Sequence, residues 1–157
     1  MTAGDSSDTG GARHRVVEAI VFRRTDPVRV LLLRRTPQRG GWWQAVTGSV
    51  EDGEELEAAV RREVREETGI GDPVAILDLE FAFPFEFTRY GGDRELAAVK
   101  HSYAVEVAGD AVTIGKEHDD WAWVTPDAAL ARLTWEDNRE ALRRLETRLR
   151  EDAEGAA

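Results

Sequence analysis

Residues 48–70 read GSVEDGEELEAAVRREVREETGI. Glu63, Glu66 and Glu67 fall at spacings of three and four, which on an α-helix puts them on one face. Like charges crowded on one face repel, so the pattern adds nothing to stability by itself. A hard divalent cation changes that, because it takes oxygen ligands and neutralises the cluster. The segment before the helix, Gly48 to Gly53, carries a glycine at each end, and such a turn lets backbone approach a metal or a phosphate closely. Gly69 reads as the C-cap of the helix. An acidic amphipathic surface helix with a glycine cap explains the helix but not the glycine turn in front of it.

On either side of this segment the chain alternates strand and helix patterns. Val16–Phe22 and Val28–Leu33 are β-branched or aliphatic runs split by Thr25-Asp26-Pro27, a strand, a turn and a strand. Trp42 to Val46 lead into the glycine turn. Glu54–Thr68 form the helix, with Leu56, Ala59, Val60 and Val64 on its apolar side. Val74–Phe87 read as extended, and Pro84 predicts an edge or a bulge there. His101–Val107 and Trp121–Val124 are further strands. Asp127–Leu133 and Glu136–Arg150 are helical by period. Strands interleaved with two or three helices predict an α/β fold, a mixed sheet between helical layers.

Composition bounds the function. The 157 residues fit one domain and suffice to bury a core. Residues 1–12 and 151–157 are small and polar, expected to be disordered tails around a domain at 13–150. With no cysteine, the chain has neither disulfides nor thiolate metal ligands, in keeping with a reducing cytoplasm. The formal net charge of −10 argues against broad nucleic-acid binding, but not against a phosphorylated small molecule bound through metal. The N-terminus lacks the pattern of a secretory signal, and no apolar run reaches the length of a membrane span.

The segment resembles the Nudix box, G-x5-E-x7-R-E-U-x-E-E-x-G-U with U aliphatic. Gly48, Glu54, Arg62, Glu63, Val64, Glu66, Glu67, Gly69 and Ile70 fill its fixed positions. The resemblance implies the Nudix α/β/α sandwich and a hydrolase of phosphoric anhydrides using Mg²⁺, with Mn²⁺ as a substitute. It implies Glu63 and Glu67 as metal ligands, Glu66 as a ligand or a residue activating water, and the Gly48 carbonyl as a further ligand. Glu54 and Arg62 would form a structural brace. Glu117, in the loop GKEHDDWAWV, occupies the place of a metal-binding or general-base glutamate, with Asp119 and Asp120 as competitors.

A narrower resemblance covers Val16 to about Leu145. RVLLLRR at 29–35, WWQAVTGSVEDGE at 42–54 and TWEDNREAL at 134–142 are similar to bacterial dihydroneopterin triphosphate diphosphatases, which act early in folate synthesis. By that resemblance Arg35 and Thr47 contact substrate, and an arginine suits a polyphosphate through bidentate, charge-assisted bonds. Phe81, Phe83, Phe85 and Phe87 alternate; they either fill core or, with Phe85 and Phe87 outermost, stack on a flat ring. The segment 85–100 departs from the family pattern, and a basic residue near the family's N-terminus has no clear counterpart beyond Arg13 or Arg15. Three readings follow: a pterin triphosphate pyrophosphohydrolase, a Nudix enzyme of other nucleoside polyphosphates, or a Nudix-like module that senses a nucleotide without cutting it.

Overall fold

The computed structural model describes residues 14–88 and 95–156. In chain order the strands are β1 (His14–Arg23), β2 (Arg29–Arg35), β3 (Trp43–Gln44), β4 (Val46–Ser49), β5 (Ala75–Thr88), β6 (Glu95–Glu106) and β7 (His118–Val124). The helices are α1 (Leu56–Thr68), α2 (Pro126–Arg132) and α3 (Glu136–Ala156). Among the described residues the strands make one seven-stranded mixed sheet along β3-β2-β1-β6-β5, with β4 pairing β1 and β7 pairing β2. β1 and β6 run parallel, from His14 beside Ala98 to Phe22 beside Glu106.

Both faces of the central strands are buried, which is why β1 reads as a nearly continuous apolar run. Side chains alternate across a strand, so one face takes Val17, Ala19 and Val21, which pack with Ala59, Val60 and Val64 of α1. The other takes Ile20 and Phe22, which pack with Leu142 and Leu145 of α3 and Ala129 of α2. The molecule is therefore the expected α/β/α sandwich of the Nudix fold. No described helix is long and apolar enough to cross a membrane.

Of the edge or bulge expected at Pro84 the structure shows the edge, and two other sequence expectations shift. The bulge of this strand lies between Asp78 and Phe81, where Glu80 takes φ 56°. Pro84 pairs opposite Val99 on β5, an edge strand, where a residue without an N–H is tolerated. Helix α3 continues to Ala156, through residues expected to form a disordered tail. Alanine and glutamate favour helix there, and Asp152 receives a hydrogen bond from Arg24 at 3.3 Å. Lastly, α1 begins at Leu56, leaving Glu54 in the turn before it.

Candidate active site

Strand pairing places the glycine turn over α1. β4 lies against β1 with Thr47 opposite Glu18 and Gly48 opposite Val17, and Val50 N–H donates to the Arg15 carbonyl at 2.9 Å. Gly48 then meets Glu63 so closely that a Cβ there would stand 2.0 Å from the Glu63 carboxyl carbon. No positive φ is involved, so Gly48 is required by proximity. Gly53 and Gly69 are required by conformation, with φ of 75° and 79°.

Arg62 organises the acids. Its Nε and Nη2 donate to the two oxygens of Glu54, each at 2.9 Å, in a bidentate pair. Nη2 also donates to the Ser49 carbonyl at 2.9 Å, and Nη1 to Glu63 at 3.0 Å and Glu66 at 3.4 Å. The Glu51 N–H caps Glu54 at 3.0 Å. The Arg62 guanidinium, helped by this N–H, holds the Glu54 carboxyl down to about 2. Arg62 and Glu54 are thus joined by the turn folding back onto the helix.

Glu63 and Glu67 are 9% and 8% exposed, whereas Glu66 lies on the surface. Burial pushes Glu67 up to about 8, with Glu63 and Glu117 repelling its charge in the same direction. Burial also raises Glu63, against the pull of Arg62. One oxygen of Glu67, Oε1, is buried with no hydrogen-bond partner. An orphaned buried carboxylate oxygen beside like charges is a strained arrangement that a cation relieves. Among the described residues no three acids close into a ready-made metal cage, and Arg62 engages Glu63 and Glu66. The donor set is all oxygen and suits a hard divalent ion: Glu63, Glu66, Glu67 and Glu117 line one cavity with Gly48.

Glu117 arrives by the pairing of β2 with β7, which ends with Arg35 opposite His118, after a register shift; Thr36 N–H donates to the Glu117 carbonyl at 3.1 Å. Asp119 is held by Arg34 at 2.9 Å, and Asp120 accepts from the neighbouring Trp121 N–H at 2.8 Å. Neither lines the cavity, so Glu117 is the loop acid that reaches it. Arg35 and Thr47 line it as well. The Arg35 guanidinium lies over the Trp42 ring at 5.3 Å, and its Nε donates to the Arg39 carbonyl at 2.8 Å.

The aromatic series is placed elsewhere. Phe85 is half-buried on the edge strand, stacked on Phe83 with centroids 6.4 Å apart, and does not line the carboxylate cavity. Phe81 packs against the core beneath α3. The Phe87 side chain and Arg13 lie outside the described residues. Arg15 donates to the Glu54 carbonyl at 3.2 Å, so it supports the glycine turn.

Two polar features lie nearby: His118, which the sequence favoured as structural or solvated rather than catalytic, and one that sequence reasoning missed. His118 is buried; burial lowers its pKa, and it meets Gln44 at 3.3 Å, while Gln44 accepts from the Trp42 indole N–H at 3.1 Å. A second polar cluster lies under α3. Buried Glu18 accepts from Ser102 at 2.9 Å and Asn138 at 2.7 Å, beside the Lys100–Asp137 ion pair. The signal for it was one acid inside the apolar run of β1.

The NUDIX domain family model matches residues 12–145. The chain is 40% identical over 129 residues to a Myxococcus xanthus protein named octanoyltransferase, covering 80% of this chain but 34% of that one, so it spans about a third of that relative. It is 29% identical over 130 residues to the Escherichia coli K12 dihydroneopterin triphosphate diphosphatase, covering 78% of this chain and 86% of the relative. The solved structure of the E. coli dihydroneopterin triphosphate pyrophosphohydrolase superposes with a TM-score of 0.69 at 26% identity, covering 82% of this chain and 91% of that one. With the box residues gathered on α1 and its preceding turn, and the family model spanning most of the sequence, the chain belongs to the Nudix family, hydrolases of phosphoric anhydride bonds.

Proposed function

We propose that this Nudix hydrolase is a Mg²⁺-dependent pyrophosphohydrolase of the cytoplasm, with Mn²⁺ as a substitute. It converts a nucleoside-triphosphate-like substrate, dihydroneopterin triphosphate foremost, to a monophosphate and pyrophosphate. The observation that carries the reaction is one cavity in which Glu63, Glu66, Glu67 and Glu117 face Arg35 and Thr47. The pterin preference is supported by the relative of that activity, which this chain matches over most of its length.

In this reading Glu63, Glu67 and the Gly48 carbonyl hold the ion, with Glu66 and Glu117 as further oxygen donors. A bound divalent ion neutralises the phosphate charge and acidifies water. Glu117 or Glu66 takes the one proton released by the attacking water. Arg62, locked by Glu54, keeps Glu63 and Glu66 oriented. Arg35 and Thr47 hold the phosphate nearest the ring.

A substrate panel with Mg²⁺ and pyrophosphate detection tests the proposal. Dihydroneopterin triphosphate is expected to exceed dATP and dGTP in kcat/KM on one preparation. A common deoxynucleotide winning by tenfold overturns the ring assignment and leaves the hydrolase. Tight nucleotide binding with no turnover of any substrate overturns the enzyme reading in favour of a sensing module.

A further inference from the structure

Two cavities share the carboxylates. The first is the one just described, of about 390 Å³, with Arg35, Gln44, Thr47 and Ser49. Its Gln44 accepts from the indole N–H of Trp42, which meets Trp135 edge-on with centroids 5.9 Å apart, and Trp135 is half exposed. The second, of about 340 Å³, shares Glu66, Glu67, Glu117 and His118 with the first and adds Arg39, Gly115 and Lys116. Each is the size of a small-ligand site.

The two cavities differ in chemistry. The first holds Gln44, bonded to the Trp42 indole; the second adds two cations, Arg39 and Lys116, and a glycine. Arg39 ends the 3₁₀ turn Pro37–Arg39, and its carbonyl accepts from Nε of Arg35, the last residue of β2, so the end of β2 and the turn after it deliver one arginine to each cavity. In a chain of net charge −10, Arg34, Arg62, Lys100 and Arg143 each have a carboxylate partner. Arg39 and Lys116, like Arg35 and several other arginines among the described residues, enter no ion pair, although acids line the same cavity. Both are exposed and available to an anion from outside.

We propose that the cavity walled by Arg39 and Lys116 seats the distal diphosphate of the substrate and thus the pyrophosphate that leaves, while Arg35 and the Trp42–Trp135 side hold the ring-bearing half. The polyphosphate then crosses the glutamates with the bond to be cut above them. Water adds its oxygen to phosphorus, the bridging P–O bond breaks, and the proton goes to a wall carboxylate. The ring-bearing monophosphate stays on one side and the diphosphate on the other. The proposal rests on the hydrolytic reading above and extends it to residues outside the Nudix box.

The test is direct binding by titration calorimetry in Mg²⁺, with inorganic pyrophosphate and with a nucleoside monophosphate as separate probes. Arg39→Gln/Lys116→Gln is expected to weaken pyrophosphate at least tenfold and the monophosphate less than twofold; Arg35→Gln is expected to do the reverse. Because Arg39 and Lys116 are exposed, the double variant should melt within a few degrees of the parent. The triphosphate KM should rise with the pyrophosphate Kd. Pyrophosphate affinity that follows Arg35 instead, or that ignores both variants, overturns the assignment. If no triphosphate in the panel is cleaved, the hydrolytic reading fails on its own evidence, while calorimetry still reports where pyrophosphate binds.

Discussion

Gly48→Ala is the sharpest single perturbation of this site. The added Cβ would stand 2.0 Å from the Glu63 carboxyl carbon and 2.1 Å from its Oε2, where ordinary contact begins near 3.4 Å. The backbone at Gly48 is compatible with alanine, so the clash falls on the carboxylate, which must retreat by well over 1 Å. It cannot retreat freely, being largely buried and held by Arg62 at 3.0 Å. Overpacking of this kind costs about 1–3 kcal/mol, a tolerable loss for a domain of this size. Function suffers more, because misplacing a catalytic group by about 1 Å can cost ~10²-fold. The expected result is a folded protein with kcat down about 10²-fold and weakened Mn²⁺ binding by titration calorimetry. Gly53→Ala is the control: nothing lies within 4 Å of the added carbon, so only its φ of 75° penalises it, by about 1 kcal/mol, with activity kept. A Gly48→Ala enzyme within threefold of the parent in both kcat and Mn²⁺ affinity would refute the argument that Glu63 must sit against that backbone.

Other expectations follow from the same network. The Glu54 carboxyl is depressed to about 2 from an ordinary 4.5, so the stability it contributes is complete above about pH 4.5 and is lost as pH falls toward 2; Glu54→Gln should flatten that part of a chemical-denaturation pH profile, and an unchanged slope would discount the brace. Glu67 runs the other way: its carboxyl is raised, so metal-free stability falls as pH rises from about 4.5 through 8. Glu67→Gln should raise the melting temperature without metal, remove the gain on adding Mg²⁺ and lower kcat about 10²-fold; a variant that still gains stability from Mg²⁺ would remove Glu67 from the ligand set. Glu117→Gln should lower kcat more than it changes KM, whereas Asp119→Asn, which loses only the Arg34 pair, should leave turnover within about threefold. The reverse ranking would transfer the loop-acid role to Asp119.

The legibility of this molecule from its sequence is uneven, and the reasons are physical. The box was readable because its chemistry is local: three acids at helical spacing, a glycine turn and an arginine eight residues from Glu54 all lie within one short segment. The strands of β1 and β2 were readable because burial on both faces forces unbroken apolar runs. The bulge at Asp78–Phe81 was not, since it is set by pairing with β6 and leaves no turn residue as a marker; Pro84 marks the edge of the sheet instead. The same holds for the walls of the site. Arg39 sits in TPQRGG and Lys116 in IGKEH, and each reads as a solvated loop cation. Only the β2–β7 pairing, which ends with Arg35 beside His118, brings both loops to the glutamates of α1.

That contrast bears on where specificity resides. In the proposed reaction Glu63 and Glu67 would answer to a constraint shared by any phosphoric anhydride: negative charge must be neutralised wherever the bond is cut. The same constraint leaves Glu67 Oε1 buried and unpartnered, a stability defect retained within the site. What tells one anhydride from another lies at its two ends, and both ends here are built by tertiary contact. The ring end has Trp42 and Trp135, ninety-three positions apart in sequence and 5.9 Å apart in space. Under α3 lies a polar layer, Glu18 with Ser102 and Asn138 and Lys100 with Asp137, whose members are already satisfied by one another. A buried network in that condition resists substitution at any single member, because removing one partner strands the others. Changes of substrate are therefore expected to come more readily from Trp135, which is half exposed and edge-on to Trp42, than from Glu18 or Asn138. Trp135→Ala should shift relative kcat/KM among triphosphates differing in their ring by tenfold or more while leaving pyrophosphate binding unchanged. Equal loss across all rings would make Trp135 a packing residue and move ring recognition elsewhere.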